Sequence, residues 1–289
     1  VDRIKTNFWG KCGEVLKAPA HTDRDLVIYG FDMKNHTADK KARYLYQLDV
    51  SFGMMRRSVP RATAIVFSIF EPIPELTEMY AKYNISVVRI PEYAQWETAN
   101  ARVAATYQYL LHHRGAFDRV VFADARDVFF LNDPFRMFNH NAVVMAHECY
   151  NKNKCVILND FEWHFRWFKN CFGEKEAERF KQMRVLVVNS GVIMGRVEPM
   201  LTFFKAVTDN ITPKNRNVWG LEQSLINYLV YTNLNETVAI DLHKCDQQIC
   251  MTHNGIDFGV NGDQIVLASK GCTPVMMHHG QPHSWGFKK

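Results

Sequence analysis

The sequence predicts an α/β protein in which a mainly parallel sheet is flanked by helices. Two observations predict it. From Asp25 onward, short β-branched runs alternate with longer amphipathic ones, the pattern that strand-helix-strand units leave in a sequence. The 289 residues are also 47% hydrophobic, 13% aromatic and only 22% charged, which is ample material for a large core. No Pro/Gly/Ser-rich linker, low-complexity run or internal repeat divides the chain, so residues 1–289 read as one domain.

The elements follow in order. DLVIYG (25–30) reads as a strand and ADKKARYLYQLDVSFGMMRRS (38–58) as a helix. ATAIVFSIF (62–70) and ISVVRI (85–90) are further strands, joined by the helical PELTEMYAKY (74–83), with right-handed crossovers. A helix over 97–113 carries apolar residues at helical spacing and ends before Gly115. Val120-Val121-Phe122-Ala123 reads as a buried central strand, AVVMAH (142–147) as another, and VLVVNSGVIMG (185–195) as a third. Helices fit 198–209 and 221–231, and short strands fit 238–240, 264–267 and 274–277. The aromatic stretch DFEWHFRWFKNCFG (160–173) is helical or a loop; core packing is the commoner reason for such a run, and sugar stacking the alternative.

The net charge of +5 is spread along the chain rather than gathered into the patch or stripe that a nucleic-acid binder shows, so nucleic acid is not an expected partner. No apolar run is long enough to span a bilayer. The chain opens Val-Asp-Arg-Ile-Lys without Met or signal peptide, and the expectation is a trimmed precursor whose only membrane link is an N-terminal anchor. Four sequons, Asn35-His-Thr, Asn84-Ile-Ser, Asn210-Ile-Thr and Asn235-Glu-Thr, point to the secretory pathway. Seven cysteines include the close pairs Cys149/Cys155 and Cys245/Cys250 but no CxxC, which favours disulfides over zinc and leaves at least one thiol over.

The central strand empties into Asp124-Ala125-Arg126-Asp127. Ligands of open α/β sheets sit beyond the carboxyl ends of strands, and two close carboxylates there suit a divalent metal. A salt-bridged structural turn is the plain alternative.

At this point the sequence resembles the GT-A glycosyltransferases, a Rossmann-like fold, and in particular the glycogenin-like and lipooligosaccharide galactosyltransferase group. FADARDVFFLNDPF resembles the group's strand plus DxD signature, VVNSGVIMG (187–195) its N-x-G strand, and Glu222-Gln223-Ser224-Leu225-Ile226-Asn227 its D-Q-D-x-L-N motif. Met277-His278-His279-Gly280-Gln281-Pro282-His283-Ser284-Trp285 is similar to the C-terminal H-x-x-G-x-x-K-P-W. There are departures. Arg126 stands at the second acid of the DxD, with Asp127 one place later. Met277 stands where the metal-binding His belongs, which leaves His278 or His279, and His283 replaces the phosphate-binding Lys.

The resemblance implies transfer of a hexose or pentose from a nucleotide sugar, UDP more than GDP, to a glycan or glycoprotein acceptor in the Golgi lumen or outside the cell, by an anchored type II or a secreted protein. It implies Mn²⁺ or Mg²⁺ on Asp124, Asp127 and His278 or His279. Donor contacts fall on Asp124, Arg126, Asn189, Ser190, Gly191, Gly280 and His283. Arg102 is a further candidate, although a surface charge is its simpler reading. Glu222 and Gln223 lie beside the anomeric carbon, with retention of configuration. Residues 25–135 form the nucleotide-sugar half and 136–289 the acceptor half, with acceptor-side elaboration. Two rivals stand beside this: an inverting or metal-independent enzyme using Glu222 as base, and an inactive GT-A-like sugar-binding protein. A nucleotidyltransferase would need a Gly-rich loop that DLVIYGFDMKN lacks.

Overall fold

The computed structural model describes residues 12–33, 37–137, 141–151, 154–158, 162–244, 249–251, 258–261, 264–267 and 271–278. The chain is mixed α/β, with a central seven-stranded sheet flanked by helices. The strands are β1 (Asp25–Gly30), β2 (Thr63–Ser68), β3 (Ser86–Arg89), β4 (Arg119–Ala123), β5 (Val128–Phe130), β6 (Ala142–His147), β7 (Cys149–Asn151), β8 (Lys154–Cys155), β9 (Val188–Arg196), β10 (Ala239–His243), β11 (Ile249–Met251), β12 (Phe258–Asn261), β13 (Gln264–Leu267) and β14 (Met276–His278). The helices are α1 (Ala38–Ser58), α2 (Pro74–Lys82), α3 (Thr98–His112), α4 (Glu162–Phe172), α5 (Glu174–Met183), α6 (Val197–Asp209) and α7 (Leu221–Val230).

The main sheet runs β10-β6-β9-β4-β1-β2-β3. Its pairs are parallel except at β9, which is antiparallel to both β4 and β6. Six strands therefore point their carboxyl ends toward one edge, and β9 begins there. The two-residue alternation of strand side chains divides the core. Leu26, Ile28, Val120, Phe122 and Met145 meet Val103 of α3, Phe203 and Phe204 of α6 and Leu225 of α7. Val27, Tyr29, Val66, Val121 and Val144 face the other way, onto Leu48 and Phe52 of α1 and Leu76 and Tyr80 of α2. Strands buried on both faces are what the continuous apolar runs require.

A small second sheet, β11-β14-β5, sits beyond β4. β14 is antiparallel to β5, with His278 opposite Val128. The segment before β14 is stapled to the start of the described chain by a disulfide between Cys12 and Cys272, a pair with no signature in local spacing. The expected Cys149–Cys155 bridge closes the β7–β8 hairpin. Cys171 is the free thiol among the described residues. Cys245 of the other expected pair lies outside them, as do Asn35, Phe161 and residues 279–289. The two disulfides indicate an oxidising environment, secreted or lumenal. The sequon residues Asn84, Asn210 and Asn235 are exposed. Among the described residues no helix is long and apolar enough to cross a membrane.

Candidate active site

A cleft of about 460 Å³ opens at the carboxyl edge of the sheet. Its charged end begins at the turn after β4, where the backbone N–H of Asp124 donates to the Gly191 carbonyl at 2.8 Å and ties the turn to β9. The β5–β14 register then delivers His278 beside Asp127. Nε2 of the buried His278 lies 3.2 Å from Asp124 Oδ2 and 3.6 Å from Asp127 Oδ1. One ligand atom from each of these three residues falls within 4.8 Å of the others.

Two carboxylates and an imidazole form a donor set suited to Mn²⁺ or Mg²⁺. Gly191 is the residue that makes room for it. A Cβ there would stand 2.0 Å from His278 Cε1 and 2.8 Å from Asp124 Oδ2, so any side chain would displace the imidazole. The N-x-G glycine therefore serves the Asp-Asp-His cluster rather than lining the cleft. Asn189 and Ser190 do line it.

Arg102, projecting from α3, is buried rather than a surface charge. Its guanidinium bonds Asp124 on one side and Glu222 on the other, at 3.1 Å to the latter, and lies 4.5 Å from the centre of the Phe122 ring. Its stem crosses Gly30, where a Cβ would stand 2.7 Å from Arg102 Cβ. Burial alone would push the Asp124 carboxyl up, but Arg102 and His278 overcome it and hold Asp124 well below the ordinary carboxylate range. Burial would likewise lower His278, yet its contacts with Asp124 and Asp127 raise it to about 9. Glu222 is raised, because burial and the Asp124 charge together outweigh Arg102.

Glu222 and Gln223 open α7, and an exposed helix start would be the ordinary expectation for such a pair. Instead Glu222 is buried. Asn100 accepts from the Glu222 backbone N–H at 3.1 Å. Asn227 fastens the helix to β9, accepting from the Val188 N–H and donating to its carbonyl, both at 2.8 Å. That two-way bond is the structural use of the motif's final Asn. The Gln223 amide is fixed in both directions. Ser190 Oγ donates to Gln223 Oε1 at 3.3 Å, and Gln223 Nε2 donates to Glu148 Oε1 at 2.8 Å.

Glu148 was not among the residues the motifs select. It is buried one residue past β6 and also accepts from Asn189 Nδ2 at 2.9 Å and His164 Nε2 at 3.0 Å. The signal that could have found it is an acid directly after a strand's carboxyl end, as at Asp124. Asp32, two residues past β1, and Tyr44 belong to the same oversight. Both line the cleft beside Phe31, and the Arg126 guanidinium lies 4.4 Å from the centre of the Tyr44 ring. The aromatic stretch is divided between two jobs. Phe168 packs in a satellite core with Phe180 and Val187, while Trp163, His164 and Trp167 line the cleft with Trp219. Of the predicted site, His279, Gly280 and His283 lie outside the described residues.

No protein-family model matches the chain, and no curated protein matches it.

Proposed function

We propose that the protein is a nucleotide-sugar-dependent glycosyltransferase of the GT-A type, acting on a glycan or glycoprotein acceptor in the Golgi lumen or outside the cell. The observation that carries this reading is the convergence of Asp124 and Asp127 with the sequence-distant His278, beside Arg102, Glu222 and Gln223 in one cleft. A divalent cation bound by the three ligands would offset the charge that develops on the departing nucleotide phosphate.

The chain's own residues supply the rest. Phe31, Asp32 and Tyr44 form a recess past β1 that suits a nucleobase, with Arg126 at its edge as a fixed cation for pyrophosphate oxygens. Gln223, its amide held by Ser190 and Glu148, presents an oriented dipole to the anomeric carbon. Such a fixed dipole steadies an oxocarbenium-like centre without reorganising. The acceptor hydroxyl attacks as the bond to phosphate breaks, and its proton passes to the departing phosphate oxygen, which retains configuration. Glu222 braces Arg102 from within the wall, an arrangement that favours this route over Glu222 acting as a free base with inversion.

The test is a screen of UDP- and GDP-sugars with and without Mn²⁺, reading donor binding by thermal shift and turnover by nucleotide release. Metal-dependent binding of one nucleotide class is expected, with release falling at least about a hundredfold in Asp127→Ala and Glu222→Ala. A well-folded sample that binds no donor would overturn the reading in favour of an inactive sugar-binding shell. The anomeric configuration of the product, read by NMR, decides between retention and inversion.

A further inference from the structure

The charged end of the cleft accounts for a donor; the other end carries features that a donor does not require. Trp163 and Trp219 are 36% and 60% exposed, although Phe168 on the same helix as Trp163 is fully buried. Exposed large aromatics gathered at a cleft mouth mark a binding surface rather than a core.

Trp167, between them, and Trp219 are also fixed in place. The Trp167 ring lies against Gly220, where φ is +78° and a Cβ would stand 2.5 Å from Trp167 Cδ2. Trp219 meets Trp167 edge-on, with ring centres 6.3 Å apart, and His164 meets Trp167 in the same manner at 5.3 Å. His164 is anchored in turn on Glu148 at 3.0 Å. Asn100 holds the loop that presents Trp219 through the carbonyls of Arg216 and Val218.

Resting on the transferase reading, we propose that Trp163, Trp167 and Trp219, with Glu148 at their base, form the acceptor subsite, and that it takes a neutral saccharide ring. The negative face of an indole attracts the C–H face of a sugar ring, and the buried Glu148 carboxylate suits a hydroxyl-rich ligand. Among the described residues the arginines lining the cleft are Arg102 and Arg126, and both belong to the Asp124 end, so a sialylated or sulfated ring would meet the Glu148 carboxylate and aromatic faces, with His164, itself held on Glu148, as the basic side chain of that part of the lining. The position is also right for an acceptor. Glu148 bonds Gln223, whose neighbour Glu222 bonds Arg102, which bonds Asp124, so the reacting centre lies between the indoles and the metal ligands.

The experiment is a glycan array of neutral and acidic oligosaccharides probed with the whole protein and with Trp219→Ala and Trp163→Ala, run beside nucleotide-sugar thermal shifts in Mn²⁺. Neutral glycans are expected to bind. Trp219→Ala should weaken them by at least about tenfold, raising the acceptor KM with kcat at saturating acceptor within about threefold and donor binding unchanged. Melting temperatures of the variants check that they fold, and Trp163→Ala repeats the test from a different element. Preference for acidic glycans, or neutral binding untouched in both variants, would overturn the proposal. So would donor binding and turnover without neutral-glycan binding, while leaving the transferase reading intact. Neutral-glycan binding lost in the Trp variants, in a protein that binds no donor, would support the saccharide subsite and overturn the transferase reading.

Discussion

At one end of the cleft three titratable side chains are placed by strand ends and strand register, and at the other three indoles are placed by a helix and a loop. Asp124 follows β4, Asp127 precedes β5, and His278 closes β14, whose pairing with β5 sets it opposite Val128. Trp163 and Trp167 are four residues apart on α4, and Trp219 leads into α7 from a loop held by Asn100. The first arrangement fixes charge in a sheet that cannot shift without breaking its ladder. The second shapes a surface that can change with little cost to the fold. An enzyme that keeps one reaction and varies its partner would be built this way.

The sharpest way to break that contrast is Asp124→Asn. The substitution leaves Arg102 and His278 facing each other with less opposing charge and removes a ligand. Nucleotide-sugar turnover should fall at least about a thousandfold, with loss of the Mn²⁺-dependent thermal shift. Trp219→Ala should not approach this loss. Similar losses from the two variants in a nucleotide-release assay would mean that the two ends do not divide the work.

A second difference is in pH. His278, raised to about 9, must give up a proton before it can ligate a metal. Apparent Mn²⁺ affinity should therefore rise about tenfold per pH unit well below 9 and level above it, or about fiftyfold between pH 7 and 9. Calorimetry in buffers of different ionisation enthalpy should detect about one proton released per ion at pH 7. In EDTA the sign reverses for stability. Because the folded value lies above the ordinary 6.5, the stabilisation from protonated His278 is full below about 6.5 and lost as pH rises through about 9. Melts of the wild type and His278→Gln, compared across that range, check this. Saccharide binding at the indole end should not follow the His278 titration.

The same contrast explains what the sequence revealed. The parallel α/β frame was legible almost element by element, because continuous apolar strands and amphipathic helices are local patterns, and DLVIYG, AVVMAH and PELTEMYAKY form the elements they spell. The acids after β4 were legible through motif order, and His278 as one of two candidate imidazoles, His278 or His279. Arg102 was legible only as a candidate whose simpler reading was a surface charge, since a lone Arg on a helix looks solvated until the topology sets it between Asp124 and Glu222. Glu148 and Trp219 escaped for a related reason, since each gains meaning only from partners far along the chain. Cys12–Cys272 links residues 260 apart, beyond any spacing argument. α5 and the β7–β8 hairpin were not anticipated either: α5 is mostly polar and buries only Ala177 and Phe180, and the hairpin strands Cys149–Asn151 and Lys154–Cys155 are too short to leave a pattern.

Gly220→Ala probes the indole end from its backbone. An alanine at φ +78° is strained by about 1–2 kcal/mol, and its Cβ also meets the Trp167 ring, so a total loss of about 2–3 kcal/mol is expected in chemical denaturation. Trp167→Ala in the same chain should remove the steric share and leave the strain. A double-mutant cycle without coupling would show that Trp167 does not rest on Gly220 in solution.

The smallest effect is expected from Glu148→Gln, and its smallness is informative. Oε1 of Glu148 receives both Asn189 and Gln223, whereas Oε2 receives His164. An amide that kept its oxygen on the first side would satisfy Asn189 and Gln223 unchanged. Its NH₂ would then face His164, and the ring can accept that hydrogen bond by switching tautomer. Transfer should fall only a few-fold, about as much as one altered hydrogen bond costs. Glu148→Ala, which strips all three donors of their acceptor, should cost about a hundredfold. A Gln variant as impaired as the Ala variant would show that the Glu148 charge itself matters at the acceptor, so steady-state transfer rates of the two decide whether Glu148 acts through its shape or through its charge.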